Sequence, residues 1–130
     1  MTIYVADTHA LVWHLGGSKL LGPQARAAFD ETINAVSAVY VPAIVLAEAV
    51  MLIEKRHITL DMASIVAALK TKPGFHLIPL SPEVAVDIQR LTALRDIHDR
   101  LIVAEAMRLG ATLITRDLQI TASGLAPVVW

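Results

Sequence analysis

The chain has 130 residues, no cysteine, and a formal net charge of −1 from 11 basic and 12 acidic side chains. That length suits one domain with its own core; the charge balance provides no global basic field for nucleic acid, and the missing thiols exclude disulfides and thiolate metal sites. With 55% apolar residues and a mean hydropathy of +0.59, either the helices are covered on more than one side or an apolar face is buried against another subunit, so a homodimer is expected.

Short β-branched runs alternate with segments of helical period. Ile3–Ala6 reads as a buried strand and Thr8–Leu15 as a short helix, broken by Gly16-Gly17-Ser18. A second helix starts near Pro23, which suits a first turn, with Ala25, Ala28, Phe29 and Ile33 on one side. Ala38–Val41 is a strand, and Pro42 begins the helix Ala43–Lys55. Asp61 is placed to cap a helix running to about Lys70, and Lys72-Pro73-Gly74 is a turn.

Phe75–Pro79 is the next strand, and Ser81-Pro82-Glu83 starts a helix predicted to run through Leu94. Arg95–His98 forms a loop, and His98–Leu109 a helix stopped by Gly110. Ala111–Thr115 is a strand, Asp117–Thr121 a short helix or turn, and Pro127–Val129 a final edge strand. This alternation, with strands apolar throughout, predicts an α/β fold: a mostly parallel sheet of about five strands flanked by helices on both faces. In such sheets the site lies beyond the carboxyl ends of the strands, where Asp7 and Asp117 fall.

The longest uncharged stretch, Thr32–Ala47, has 16 residues and contains Pro42, short of the roughly 20 that a membrane span needs. The strand-like start has no basic region or cleavage motif, so a cytoplasmic protein without membrane contact is expected.

Four carboxylates sit where an unpartnered charge is costly. Asp7 closes the first strand, and Glu48 is the only charge between Thr32 and Ile53. Asp99 opens the apolar stretch Leu101–Leu109, and Asp117 follows Leu113-Ile114-Thr115-Arg116. Asp7 reads equally as a helix cap or as a ligand, and Asp117 taken alone reads first as a cap or turn residue; the ligand reading gains from the four acids taken together. Glu48 shares a helix face with Ile44, Met51 and Leu52, which leaves it no wholly polar side to occupy. Asp96 followed by Asp99 resembles a capping box; spacing puts Asp99 with Ile102, Val103 and Ala106 facing inward, while Glu105 and Arg108 mark the wet side. Asp99 is therefore the ligand candidate and Asp96 mainly a cap or an outer acid.

Oxygen donors without cysteine, and without an H-x₃-H pair, favour a hard cation such as Mg²⁺ or Mn²⁺ over zinc. The five histidines (His9, His14, His57, His76 and His98) show no ligand spacing and read as solvated or core residues. No G-x-S-x-G elbow, G-x-x-x-x-G-K-[ST] loop or G-x-G-x-x-G turn occurs, which argues against a serine nucleophile and against phosphate-loop or dinucleotide binding.

Four segments, Val5–Leu11, Pro42–Glu48, His98–Ala106 and Leu113–Asp117, in this order across almost the whole chain, resemble the PIN domain family, and within it the VapC-type ribonuclease toxins of type II toxin–antitoxin pairs. The resemblance implies a PIN-like sheet and an acidic pocket for Mg²⁺ or Mn²⁺ formed by Asp7, Glu48, Asp99 and Asp117, with Thr115 as a supporting hydroxyl. It also implies metal-dependent endoribonuclease activity leaving a 5′-phosphate and a 3′-hydroxyl, an RNA substrate and a small cognate antitoxin. Arg100 and Arg116, each beside one of the acids, are candidates for phosphate contacts or plain surface arginines. The rival readings are a catalytically silent PIN scaffold that binds RNA or protein, and a phosphotransfer domain with Asp7 as acceptor; the chain's Asp7-Thr8-His9 lacks the D-x-D of the phosphatase form.

Overall fold

The apolar runs pair side by side and in one direction. In the computed structural model, which describes residues 1–130, β1 (Thr2–Ala6) leads into α1 (Thr8–Leu15) and α2 (Pro23–Ile33), then β2 (Ser37–Pro42) into α3 (Ala43–Glu54) and α4 (Met62–Thr71). After β3 (Phe75–Ile78) come α5 (Pro82–Ile88), α6 (Ile97–Leu109), β4 (Thr112–Ile114), α7 (Leu118–Ser123) and β5 (Val128–Val129). The sheet has the order β3-β2-β1-β4-β5, and all four pairings are parallel.

Val5, Val39, Val41, Leu113 and Ile114 on the three central strands are fully buried. Each such side chain contributes about 1.5–3 kcal/mol by leaving water, so the middle of the sheet is a stiff platform. Chain order runs from β1 outward to β3, then returns to the other side of β1 for β4 and β5. With crossovers of the usual right hand, that reversal puts α1–α4 and α5–α7 on opposite faces. It also opens a crevice at the carboxyl ends of β1 and β4, the switch point where such sheets take ligands.

Three local features differ from the sequence reading. The helix predicted to reach Leu94 ends at Ile88; residues beyond it make isolated turns, such as Leu91 N–H to Ile88 O and Leu94 N–H to Leu91 O, both 3.1 Å. The Arg100 side chain holds this stretch open by donating Nε to Leu94 O at 2.6 Å and Nη1 to Ile88 O at 3.4 Å. The next helix begins one residue early, at Ile97, because Asp96 already caps it.

Glu105, expected on the wet side, is only 6% exposed, since every residue from Leu101 to Ala106 is buried. The reason is that α6 packs on the sheet and also against α3 and α5, so it has no broad solvent stripe.

Candidate metal centre

The register of β1 on β4 pairs Ala6 with Ile114, which brings the residues after each strand together. Asp7 N–H donates to Ile114 O at 3.1 Å, continuing the sheet by one bond. Asp7 then caps α1, its Oδ1 accepting from Ala10 N–H at 2.9 Å. Across the crevice Asp117 caps α7 in the same way, Oδ1 accepting from Ile120 N–H at 2.9 Å. Capping occupies one oxygen of each carboxylate, so cap and cleft roles coexist here.

Thr115 is fully buried between the two acids. Its Oγ1 accepts from Asp117 N–H at 3.0 Å, and its hydroxyl lowers the proton affinity of the Asp7 carboxyl. One threonine thus bears on both aspartates.

Glu48 reaches the crevice from the middle of α3, where its Oε1 accepts the Thr8 hydroxyl at 2.7 Å. Its Oε2 lies 3.5 Å from His98 Nδ1. The fourth acid comes from α6. Asp96 is the N-cap, its Oδ1 accepting from His98 N–H at 2.7 Å and Asp99 N–H at 3.3 Å. Asp99 at the third helical position makes no side-chain hydrogen bond and faces the cleft.

All four acids, with Asp96 at the rim, line one cleft of about 450 Å³. Ile102, Met51 and Leu52 give it an apolar flank, while Lys55, His9 and His57 lie on its border. The crowding shows in the protonation equilibria. Burial, followed by the fields of Asp117 and Glu48, pushes Asp7 up to about 6. Asp99 is also pushed to about 6, by burial and then by Asp117, Asp96, Glu48 and Asp7. Asp7, Asp99 and Asp117 form no ion pair with any lysine or arginine.

No three acidic or imidazole groups converge closely enough to form a ready-made ligand cage. The donor chemistry nonetheless fits a hard dication: the oxygens are anionic and mutually repelling, and several carry no competing hydrogen bond.

The two arginines singled out in the sequence diverge. Arg100 turns away from the cleft to the two carbonyls described above. Arg116 is exposed and lies over the Trp13 ring, 4.5 Å from its centroid. Sequence reasoning missed Thr8 and three of the histidines. His9 and His57 border the cleft, and His98 pairs with Glu48; only the D-T-H and H-D sequences beside two acids hinted at this. His14, expected to be solvated or in the core, is half-buried and stacked on Phe29 at 4.0 Å between ring centroids.

Residues 4–122 match the family described as PIN domain. Among solved structures, a toxin–antitoxin complex from Klebsiella pneumoniae is similar at 22% identity over 100% of this chain and 97% of that chain, TM-score 0.66. VapC20 from Mycobacterium tuberculosis, described as a sarcin–ricin loop cleaving toxin, is 16% identical over 95% of each chain, TM-score 0.67. FitAcB from Neisseria gonorrhoeae is 20% identical over 98% of this chain and 96% of that one, TM-score 0.66. These likenesses show the fold. No protein of curated function matches the sequence.

Proposed function

The chain belongs to the PIN domain family, and from that premise we propose that it is a Mg²⁺- or Mn²⁺-dependent endoribonuclease acting as the toxin of a type II toxin–antitoxin pair. One observation carries the reading. Asp7, Glu48, Asp99 and Asp117 come from four segments and line one cleft at the switch point without a paired lysine or arginine, and burial followed by the neighbouring carboxylates raises the proton affinity of Asp7 and Asp99.

A divalent cation bound there would supply a polarised water and offset charge on the scissile phosphate. The chain's own part is to hold the donors. Thr115 anchors the backbone of Asp117 beside Asp7, and Thr8 orients Glu48. Asp7 and Glu48 are the acids placed to take a proton from water as its oxygen attacks phosphorus and the P–O3′ bond breaks. Lys55 puts positive charge on the cleft border, and exposed Arg116 follows close by as the chain neighbour of Asp117, where an RNA backbone needs it.

RNA incubated with the protein should be cut only when Mg²⁺ or Mn²⁺ is present, leaving 5′-phosphate ends, and Asp99→Asn should abolish the cutting. The open spread of the carboxylates favours a second reading, a PIN scaffold that binds RNA or protein without cleavage. Metal-insensitive RNA binding with no products would select it.

The proposal includes a cytoplasmic location, a small cognate antitoxin and a homodimer. No helix is long and apolar enough to cross a membrane. Exposed apolar side chains such as Val36, Val86 and Met107 are available for protein partners. Light scattering that gave a monomer at micromolar concentration would remove the homodimer from this picture.

A further inference from the structure

Beside the acidic cleft runs a row of aromatic and cationic groups, of which the hydrolytic reading uses only the charge of Arg116. His9 borders the cleft and packs on Trp13, 5.1 Å between ring centroids. Trp13 meets Trp130 edge-on at 5.9 Å, and Arg116, next to Asp117 in the chain, covers the Trp13 ring at 4.5 Å. Arg116 and His9 are exposed, whereas Trp13 and Trp130 are half-buried. The Arg116 guanidinium makes no hydrogen bond or ion pair within the protein, unlike Arg100 and Arg108. Its position is set by the indole beneath it, with its donors free.

The row is firmly built. Gln24 N–H donates to Trp130 O at 3.1 Å, and Trp130 N–H donates to Gln24 Oε1 at 3.4 Å. Trp130 can come this close because residue 22 is glycine; a Cβ there would lie 2.5 Å from the Trp130 carbonyl carbon and 2.6 Å from its indole. The indole is thereby clamped against Trp13.

We propose that this row is a nucleobase-stacking platform. The exposed side of the Arg116 guanidinium, backed by Trp13, and the His9 ring receive an unpaired base of an RNA strand, next to the phosphate presented to the carboxylates. The inference rests on the nuclease reading and deepens it, by making an unpaired nucleotide at the cut part of what is recognised. Three features favour a base over an apolar protein side chain. The platform is continuous with the cleft through His9, its outermost group is a planar cation, and that cation keeps free donors for a base edge or phosphate. Bases splayed from single strands and loops stack on such aromatic and guanidinium planes. A mere tether between α1 and the turn before α7 would give the same ring distances, so the test must read base binding.

Trp13 and Trp130 are the only two tryptophans in the chain, so tryptophan emission, excited at the red edge where the two tyrosines do not absorb, reports on this patch alone. The intact protein, in Ca²⁺ to slow hydrolysis, is titrated with hexaadenylate and with an abasic hexaribonucleotide of equal charge. The expected result is saturable quenching by hexaadenylate and at least tenfold weaker binding of the abasic strand. Arg116→Gln should weaken hexaadenylate binding at least fivefold at an unchanged thermal midpoint. Arg116→Lys should fail to restore it, because an ammonium keeps the charge but offers no plane. Equal affinity for the abasic strand, or full binding by Arg116→Lys, would overturn the platform. Metal-dependent RNA cleavage without base-dependent quenching would sink the platform alone. Base-dependent quenching without cleavage would leave the platform standing and sink the nuclease reading.

Discussion

The Thr8 hydroxyl donates to Glu48 Oε1 at 2.7 Å, joining the first turn of α1 to the middle of α3. Glu48 is the one acid of the cleft that caps no helix and lies outside any first turn, so Thr8 is what orients it, with His98 on the other oxygen. Replacing Thr8 with valine keeps the shape and removes the donor. Removing such a supporting hydrogen bond typically costs about 10–100-fold in activity. Initial cleavage rates at fixed Mn²⁺ should fall by that factor in Thr8→Val and recover in Thr8→Ser. An unchanged rate in Thr8→Val would mean that Glu48 is held by other contacts.

Asp7 and Asp99 both take up protons near pH 6 in the fold, above their ordinary value. Between about pH 4 and 6 the folded protein therefore holds protons that the unfolded chain has released, and its stability falls as pH rises through that range. A tenfold change in proton affinity on folding corresponds to about 1.4 kcal/mol. Both side chains retain contact with solvent, which reduces the effect to roughly 1–2 kcal/mol each. Urea midpoints of the metal-free protein should rise from pH 7 to pH 5, Asp99→Asn should flatten the rise, and Mn²⁺ at pH 7 should replace it. A metal-free protein that loses stability on going from pH 7 to pH 5 would contradict this.

Arg100 illustrates a residue whose neighbour in sequence misleads. It follows Asp99, yet its guanidinium secures Leu94 O and Ile88 O behind the cleft. Hydrogen bonds from a charged group to carbonyls of this kind are worth about 1.5–3 kcal/mol. Arg100→Ala should lower the urea midpoint by an equivalent amount while the folded fraction keeps its cleavage rate at saturating RNA. A fully stable variant with lost activity would return Arg100 to the substrate.

Glu105 is buried and has no hydrogen-bond partner, and burial raises its proton affinity. Arg108 lowers it in part, but that guanidinium is committed to Asp87 at 3.0 Å. Glu105→Gln removes a charge that burial disfavours and should stabilise the protein by about 1 kcal/mol at pH 7, with cleavage unaffected. Destabilisation measured by urea melts would reveal a partner for the carboxylate.

The sheet was legible because its strands are short, β-branched and bounded by Gly, Pro or Asp, and because parallel strands buried on both faces show no alternation. The acids were legible for an energetic reason: Glu48 interrupts an apolar helix, and Asp99 falls on the inward side of α6 by helical spacing. That same spacing failed for Glu105, since a helix packed on the sheet and two helices hides more than one stripe. The end of α5 was illegible because its terminator, Arg100, lies in the following helix. Thr8 and His98 act on Glu48 across 40 and 50 positions, a relation that only the closed fold creates. Nothing in the sequence joins Trp13 to Trp130; Gly22 and Gln24 bring them together only in the fold.

The proposed chemistry requires the four carboxylates to act as one cation site. Calorimetric titration of the metal-free protein with Mn²⁺ at about pH 7.5, well above the range in which Asp7 and Asp99 take up protons, measures this directly, in the wild type and in Asp99→Asn and Asp117→Asn. Saturable binding that either substitution weakens at least tenfold is the expected result. Absence of binding in the wild type, or equal binding in all three proteins, would contradict the metal centre.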